Sequence, residues 1–250
     1  MHGTFHQKVL SPEELALNQT RYFRWHIDAA LYDLNPPMVT TLLGLHCPDS
    51  SDKQIIKYED TNEQKEIVRG ATAFASGAIA YELLTPEDKE FVQTHSVVYA
   101  PHPYIFIGKC RATSDGLTIA QEGKERALEE LPEWSEDKIK TFPLVWTNPT
   151  TKKPHVQVHA CCVWKIINSK TGAVVAEMEE ARKLCQKFLR PAIAPENVYA
   201  HAWKRGDLAI FFNRGVTHSV TSEFSHDQKR LMHQCNIASG IPPVNEIQQA

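Results

Sequence analysis

Gly206-Asp207-Leu208-Ala209-Ile210-Phe211-Phe212-Asn213-Arg214-Gly215-Val216-Thr217-His218-Ser219-Val220 decides how the chain is read. A glycine-aspartate turn opens it, and Asp207 to Phe212 is apolar enough for a strand. Asn213-Arg214-Gly215 then turns the chain, and Thr217 to Val220 reads as the next strand, carrying His218. Lys229 to Asn236 follows as a third strand. Its period-two alternation puts Arg230, Met232, Gln234 and Asn236 on one face.

Working towards the N-terminus, the same signals recur. Met38 to Leu45 is β-branched and apolar and reads as a buried strand. Ile55 to Tyr58 and Glu66 to Val68 flank the polar segment 59–65 as a hairpin would. Residues 70–77 read as a loop or strand. Ser96 to Ala100 and Tyr104 to Ile107 are further strands, and His155 to Val163 alternates. Thr85 caps a helix with Pro86 in its first turn and an end near Thr94. Met178 to Leu189 has helical spacing and stops before Pro191. Residues 112–154 are rich in charge, Pro and Trp and read as an insertion with short helices. The pattern predicts a mainly β fold with inserted helices. A double-stranded β-helix (jelly-roll) core fits it better than a parallel α/β sheet, because alternating strand-helix units are not visible.

Composition narrows the function. With 42% apolar and 23% charged residues in 250, the chain has the make-up of an ordinary globular domain. The net charge is −3 and no Lys/Arg run is long, so no nucleic-acid partner is expected. No apolar stretch is long enough to span a bilayer, so no membrane partner is expected either. The start of the chain lacks the basic-then-apolar pattern of a secretory signal. Cys47, Cys110, Cys161, Cys162, Cys185 and Cys235 fit no zinc or redox spacing. Reduced thiols and a cytoplasmic location are the expectation.

Upstream lies Trp25-His26-Ile27-Asp28. On extended backbone, residues i and i+2 point the same way, so His26 and Asp28 would aim an imidazole and a carboxylate into one cavity. Alone, the pair reads more readily as a hydrogen-bonded surface feature. With His218 it becomes two histidines and one carboxylate, a set that leaves three adjacent positions open on an octahedral metal and suits non-haem Fe(II). Those positions can hold a bidentate 2-oxo acid and then O2. Arg230 could grip the far carboxylate of 2-oxoglutarate with two hydrogen bonds, or form a surface ion pair. It lies one hairpin beyond His218 on this reading. His155, Gln157 and His159 alternate on one strand; they could face the pocket, but solvated or core-satisfied side chains are the plainer account. His102, between prolines, reads as structural, Trp134, Trp146 and Trp164 as packing residues, and His2 and His6 as chance.

These segments resemble the taurine dioxygenase-like superfamily, whose pattern is HxD, a Thr, a distal His and then an Arg. Within it, the chain is more similar to fungal-type 2-oxoglutarate-dependent xanthine dioxygenases. Residues 24–34, Tyr99-Ala100-Pro101-His102-Pro103-Tyr104, Ile139-Lys140-Thr141-Phe142-Pro143, Tyr199-Ala200-His201-Ala202-Trp203, Asn213-Arg214-Gly215 and His233-Gln234-Cys235-Asn236 carry the likeness. The resemblance implies Fe(II) on His26, Asp28 and His218, and Thr72 and Arg230 as binders of the co-substrate 2-oxoglutarate. It implies Asn236 in contact with substrate, and Gln234 shares the inward face. A buried amide suits the N–H and C=O groups of a purine. The implied reaction hydroxylates xanthine to uric acid while 2-oxoglutarate and O2 give succinate and CO2. Two departures stand out. Phe211-Phe212 replaces the superfamily's Trp-Asp, and the family's long portion before HxD is not found here. The chain therefore reads as a single N-terminally shortened dioxygenase domain over 1–250. Another small-molecule substrate, or an inactive remnant that only binds metal or a partner, remains an alternative.

Overall fold

The structure, a computed structural model, describes residues 5–120, 122–221, 224 and 228–249; His2 lies outside them. It is mainly β with few helices. Six strands place the site: β1 (Asn35–His46), β2 (Thr72–Ser76), β3 (Tyr199–His201), β4 (Leu208–Phe212), β5 (Val216–Val220) and β6 (Leu231–Ser239). They form two antiparallel sheets, ordered β3-β2-β5 and β4-β1-β6. Successive strands β4, β5 and β6 therefore alternate between sheets. Arg230, just before β6, is thus not a hairpin away from His218, because β5 and β6 belong to different sheets. The turn at Asn213-Arg214-Gly215 likewise passes the chain between sheets rather than pairing its neighbours.

The expected hairpin is present as Lys53–Lys57 paired antiparallel with Gln64–Val68. A four-stranded sheet, ordered Val174–Ala176, Val163–Asn168, His95–Tyr99, Lys140–Pro143, supports the molecule on another side. The helix Met178–Leu189 packs on its Val163–Asn168 strand and buries Ala181, Cys185, Phe188 and Leu189, an i, i+4, i+7, i+8 stripe. Pro86–Thr94 is helical with Thr85 Oγ1 accepting from the Asp88 N–H, as its capping residues dictate. Among the described residues no helix is long and apolar enough to cross a membrane.

Three expectations are corrected. Tyr104 to Ile107 is not a strand; Pro103–Phe106 is a short helix. Pro103 presets its first turn and has no N–H to lose, and this outweighs the weak, context-dependent strand preference of Tyr-Ile-Phe. The segment 112–154 has short helices, as expected, but is not helical throughout. It holds two three-residue 3-10 turns, Leu128–Glu130 and Glu136–Lys138, and then the strands Lys140–Pro143 and Val145–Thr147. His6 is not a chance terminal residue. It is buried, its Nε2–H donates to the Tyr22 carbonyl, and burial lowers its pKa to about 4.

Candidate metal centre

His26 and His218 meet as an antiparallel bridge. The His26 N–H donates to the His218 carbonyl (2.9 Å) and the His218 N–H to the His26 carbonyl (3.0 Å), setting the rings 4.2 Å apart. Thr217 Oγ1 donates to the same His26 carbonyl. Period-two geometry then turns Asp28 to the side of His26, while Ile27 points into the core. Asp28 is fixed by Asn213, whose amide imitates a strand partner: Oδ1 accepts from the Asp28 N–H and Nδ2 donates to the Asp28 and Pro37 carbonyls, each at 3.0 Å. Arg214 similarly closes on the Pro36 and Ile241 carbonyls. The Asn-Arg-Gly segment is thus more than a turn, since it clamps the HxD segment to the start of β1.

The side chains form a compact donor set. His218 Nε2 and His26 Nε2 lie 3.4 and 3.6 Å from Asp28 Oδ1. These separations exceed ordinary N–H···O bonds of about 2.7–3.2 Å. They are close to the spacing of about 3 Å between neighbouring ligands on an octahedral ion with bonds of about 2.1 Å. All three ligand atoms lie within 4.8 Å of one another, and among the described residues this is the one such cluster. Asp28 Oδ2 is buried without a hydrogen-bond partner. His26 Nδ1–H donates to the Arg24 carbonyl (3.0 Å), which leaves the Nε2 lone pair facing Asp28. Burial on its own would raise the Asp28 carboxyl, but the contacts with His218 and His26 outweigh it and hold it well below the usual carboxylate range. Burial, then the charge of His26, lowers His218. The residues fit a divalent cation: two imidazole nitrogens and a carboxylate converge, with Asp28 and His218 buried and His26 half-buried.

A second group lies along the same sheet face. His218 pairs with Phe74 across β2 and β5, and Thr72 is one face-step further, about 7 Å along β2. Arg230 Nη2 donates to Thr72 Oγ1 (2.9 Å) and its Nε to the Gly70 carbonyl (2.8 Å). Gly70 has φ +73°, and a Cβ there would lie 3.2 Å from Arg230 Cδ, so glycine suits both the backbone and the guanidinium. Burial lowers Arg230, and among the described residues no carboxylate pairs with it. Phe74 and Phe211 stand against the His218 ring at 5.8 and 5.2 Å. Trp203 Nε1–H donates to Thr72 Oγ1 (2.9 Å), so Trp203, like Asn213 and Arg214 at the HxD segment, holds this assembly in a way no local sequence signal shows.

Gln234 and Asn236 are placed differently. They lie on exposed β6, although the register sets Asn236 abreast of Thr40 and Phe211. Thr40 Oγ1 donates to Asn236 Oδ1 (2.9 Å), as does Gln234 Nε2 (3.2 Å). His155 is a satisfied core residue, bonded to the Gly215 carbonyl. Gln157 and His159 are not: both are fully buried, and both amide atoms of Gln157 and Nδ1 of His159 have no hydrogen-bond partner. The His159 ring lies 6.4 Å from that of His26. His102 bonds the Glu133 carbonyl and is structural, as expected.

Residues 3–236 match the family described as "Taurine catabolism dioxygenase TauD, TfdA family". The chain belongs to that family. Among curated members, it is 47% identical over 247 residues to the alpha-ketoglutarate-dependent xanthine dioxygenase xan1 of Schizosaccharomyces pombe, covering 97% of this chain and 59% of that protein. It is 46% identical over 240 residues to xanA of Emericella nidulans, also an alpha-ketoglutarate-dependent xanthine dioxygenase, covering 96% of this chain and 64% of that one. The chain thus spans about three fifths of the length of these TauD-family relatives. A taurine dioxygenase structure from Burkholderia xenovorans superposes with a TM-score of 0.57 at 18% identity, covering 95% of this chain and 61% of that one, which establishes the shared fold.

Proposed function

We propose that this chain is a single Fe(II)- and 2-oxoglutarate-dependent dioxygenase domain over 1–250, built on a double-stranded β-helix core, that hydroxylates xanthine to uric acid. One juxtaposition carries the reading: the His26–Asp28–His218 donor set shares a sheet face with Thr72 and with the guanidinium of Arg230, which among the described residues has no carboxylate partner. The substrate assignment leans on the xanthine dioxygenases that are 47% and 46% identical. A cytoplasmic location belongs to the same reading, and the six free cysteines are consistent with it.

In this reading His26, Asp28 and His218 hold the iron. Bound there, Fe(II) supplies the redox chemistry that couples oxidation of 2-oxoglutarate to succinate and CO2 with hydroxylation of the substrate. The protein supplies position and charge. The His26–Arg24 hydrogen bond keeps the His26 Nε2 lone pair available to a cation. Arg230 and Thr72 take the far carboxylate, and its charge relieves that of the half-buried guanidinium. Phe74 and Phe211 exclude water around His218. Asn236, and with it Gln234, offers amide groups to the purine.

The deciding experiment is 2-oxoglutarate turnover by the full chain with Fe(II) against a purine panel. Succinate release with xanthine, together with the ultraviolet absorbance of uric acid, is expected. Turnover only with a different compound would overturn the xanthine assignment. Metal binding without any turnover would leave a remnant rather than an enzyme.

A further inference from the structure

Thr72 Oγ1 sits between two groups that can only donate. Trp203 Nε1–H reaches it at 2.9 Å and Arg230 Nη2–H at 2.9 Å. A threonine hydroxyl has two acceptor lone pairs and one proton, whereas an indole N–H and a guanidinium have no acceptor to offer. Both lone pairs are therefore occupied. The proton cannot go to either neighbour, and among the described residues no other acceptor is bonded to it. Thr72 is fully buried, so bulk water does not resolve the matter. Arg230, with Nε committed to the Gly70 carbonyl, lacks a carboxylate partner within the described residues. Hydroxyl proton and guanidinium thus call for the same thing, an anionic acceptor.

We propose that Trp203 is a positioning residue: by occupying one lone pair of Thr72 it makes that hydroxyl an obligate donor to the far carboxylate of the bound 2-oxo acid. The inference rests on the dioxygenase reading for the identity of that acid. The indole is itself braced. Its ring packs edge-on to His201 at 4.4 Å, His201 Nε2 is 3.3 Å from Asp207 Oδ2, and the Tyr199 hydroxyl meets His201 Nδ1 at 2.8 Å. Asp207 also accepts from the Lys204 N–H, closing the turn that follows the indole. Gly44 leaves the room required, since a Cβ there would lie 3.4 Å from Trp203 Cε3 and 3.0 Å from the Lys204 carbonyl. The Tyr199-to-Asp207 stretch thereby acts on the co-substrate through one hydrogen bond, without touching it.

The test uses two ligands that differ only in the far carboxylate: 2-oxoglutarate and 2-oxopentanoate. Each is titrated anaerobically into Fe(II)-loaded full chain and followed by the visible metal-to-ligand charge-transfer band. Trp203→Phe keeps a ring and removes the N–H. It is expected to weaken 2-oxoglutarate about tenfold, the scale of a hydrogen bond to a charged group, and to leave 2-oxopentanoate within about twofold. In a Thr72→Val background, Trp203→Phe should have no further effect on 2-oxoglutarate. Equal weakening of both acids, or additive losses in the double variant, would show packing only and overturn the proposal. Should Trp203→Phe fail to fold, benzothienylalanine at 203 preserves the shape with sulfur in place of N–H, and the same outcomes apply. If the unaltered chain does not prefer 2-oxoglutarate to 2-oxopentanoate, the carboxylate role of Arg230 and Thr72 is itself wrong. The dioxygenase reading then falls along with the inference.

Discussion

Strands β5 and β6 follow one another in the chain and are built in opposite ways. β5 buries Thr217, His218 and Ser219, whereas no residue of β6 from Leu231 to Ser239 is buried. On β5 the orientation of His218 is set by backbone pairing to His26 on one side and to Phe74 on the other. On β6 the Asn236 amide is held by the hydroxyl of Thr40 and the neighbouring Gln234. The difference separates two tasks. On the proposed function, the metal and carboxylate end is preorganised by the core, so its geometry costs little when a ligand arrives. The Gln234–Asn236 end is held by a few hydrogen bonds in solvent, so on the same proposal it adapts to a substrate instead of being preorganised for it.

The comparison is broken most severely at His218. His218→Ala removes one of three ligands from a site with no replacement among the described residues. The charge-transfer band of the Fe(II)–2-oxoglutarate complex should disappear, while far-ultraviolet circular dichroism keeps its β signature. A variant that retained the full band would displace His218 from the donor set and remove the reason for the buried pairing.

A second contrast concerns stability. Trp25 is almost fully buried beside His26, and its Nε1–H donates to the Asp115 carbonyl. Trp25→Ala should cost about 3–5 kcal/mol in urea unfolding. Ile237 on β6 is 54% exposed. Ile237→Ala should change stability by no more than about 0.5 kcal/mol. A large cost at Ile237 would mean that this face of β6 is covered in solution, and the contrast between the strands would vanish.

The same contrast explains what was legible in the sequence. His26, Asp28 and His218 could be read because period-two alternation fixes which side chains share a face. The helix at Met178–Leu189 could be read because its apolar stripe is strong and ends at a proline-containing turn. Asn213, Arg214 and Trp203 could be quoted but not understood. Their partners, Asp28, Pro36, Pro37 and Thr72, are remote in sequence and become neighbours only when two sheets are laid together. Thr72 itself came from family resemblance alone, since a threonine in a short apolar run has no local signal. The strand expected at Tyr104 to Ile107 is a helix for the converse reason: Pro103, just before the apolar run, presets a helical first turn. The strand expected over His155 to Val163 covers only Pro154–Val156 and is followed by a 3-10 turn at Ala160–Cys162, so alternation places neither Gln157 nor His159, whose polar atoms are buried without partners.

The smallest effects belong to β6 and sharpen the division of labour. Thr40 is fully buried and donates to Asn236 Oδ1 across the β1–β6 pair. Thr40→Val is nearly isosteric and removes that donor, while Gln234 Nε2 still reaches the same oxygen. The loss of one of two donors to a neutral amide should raise the KM for the purine about two- to threefold, at the low end for a single hydrogen bond. Asn236→Ala removes the amide altogether and should raise it about tenfold. Neither change touches β2 or β5, so the affinity for 2-oxoglutarate, read from the charge-transfer titration, should stay within about twofold of the unaltered chain. Loss of 2-oxoglutarate affinity in Asn236→Ala equal to its loss of purine affinity would show that the two sheets act as one unit. The exposed strand would then be part of the preorganised site rather than its adaptable wall.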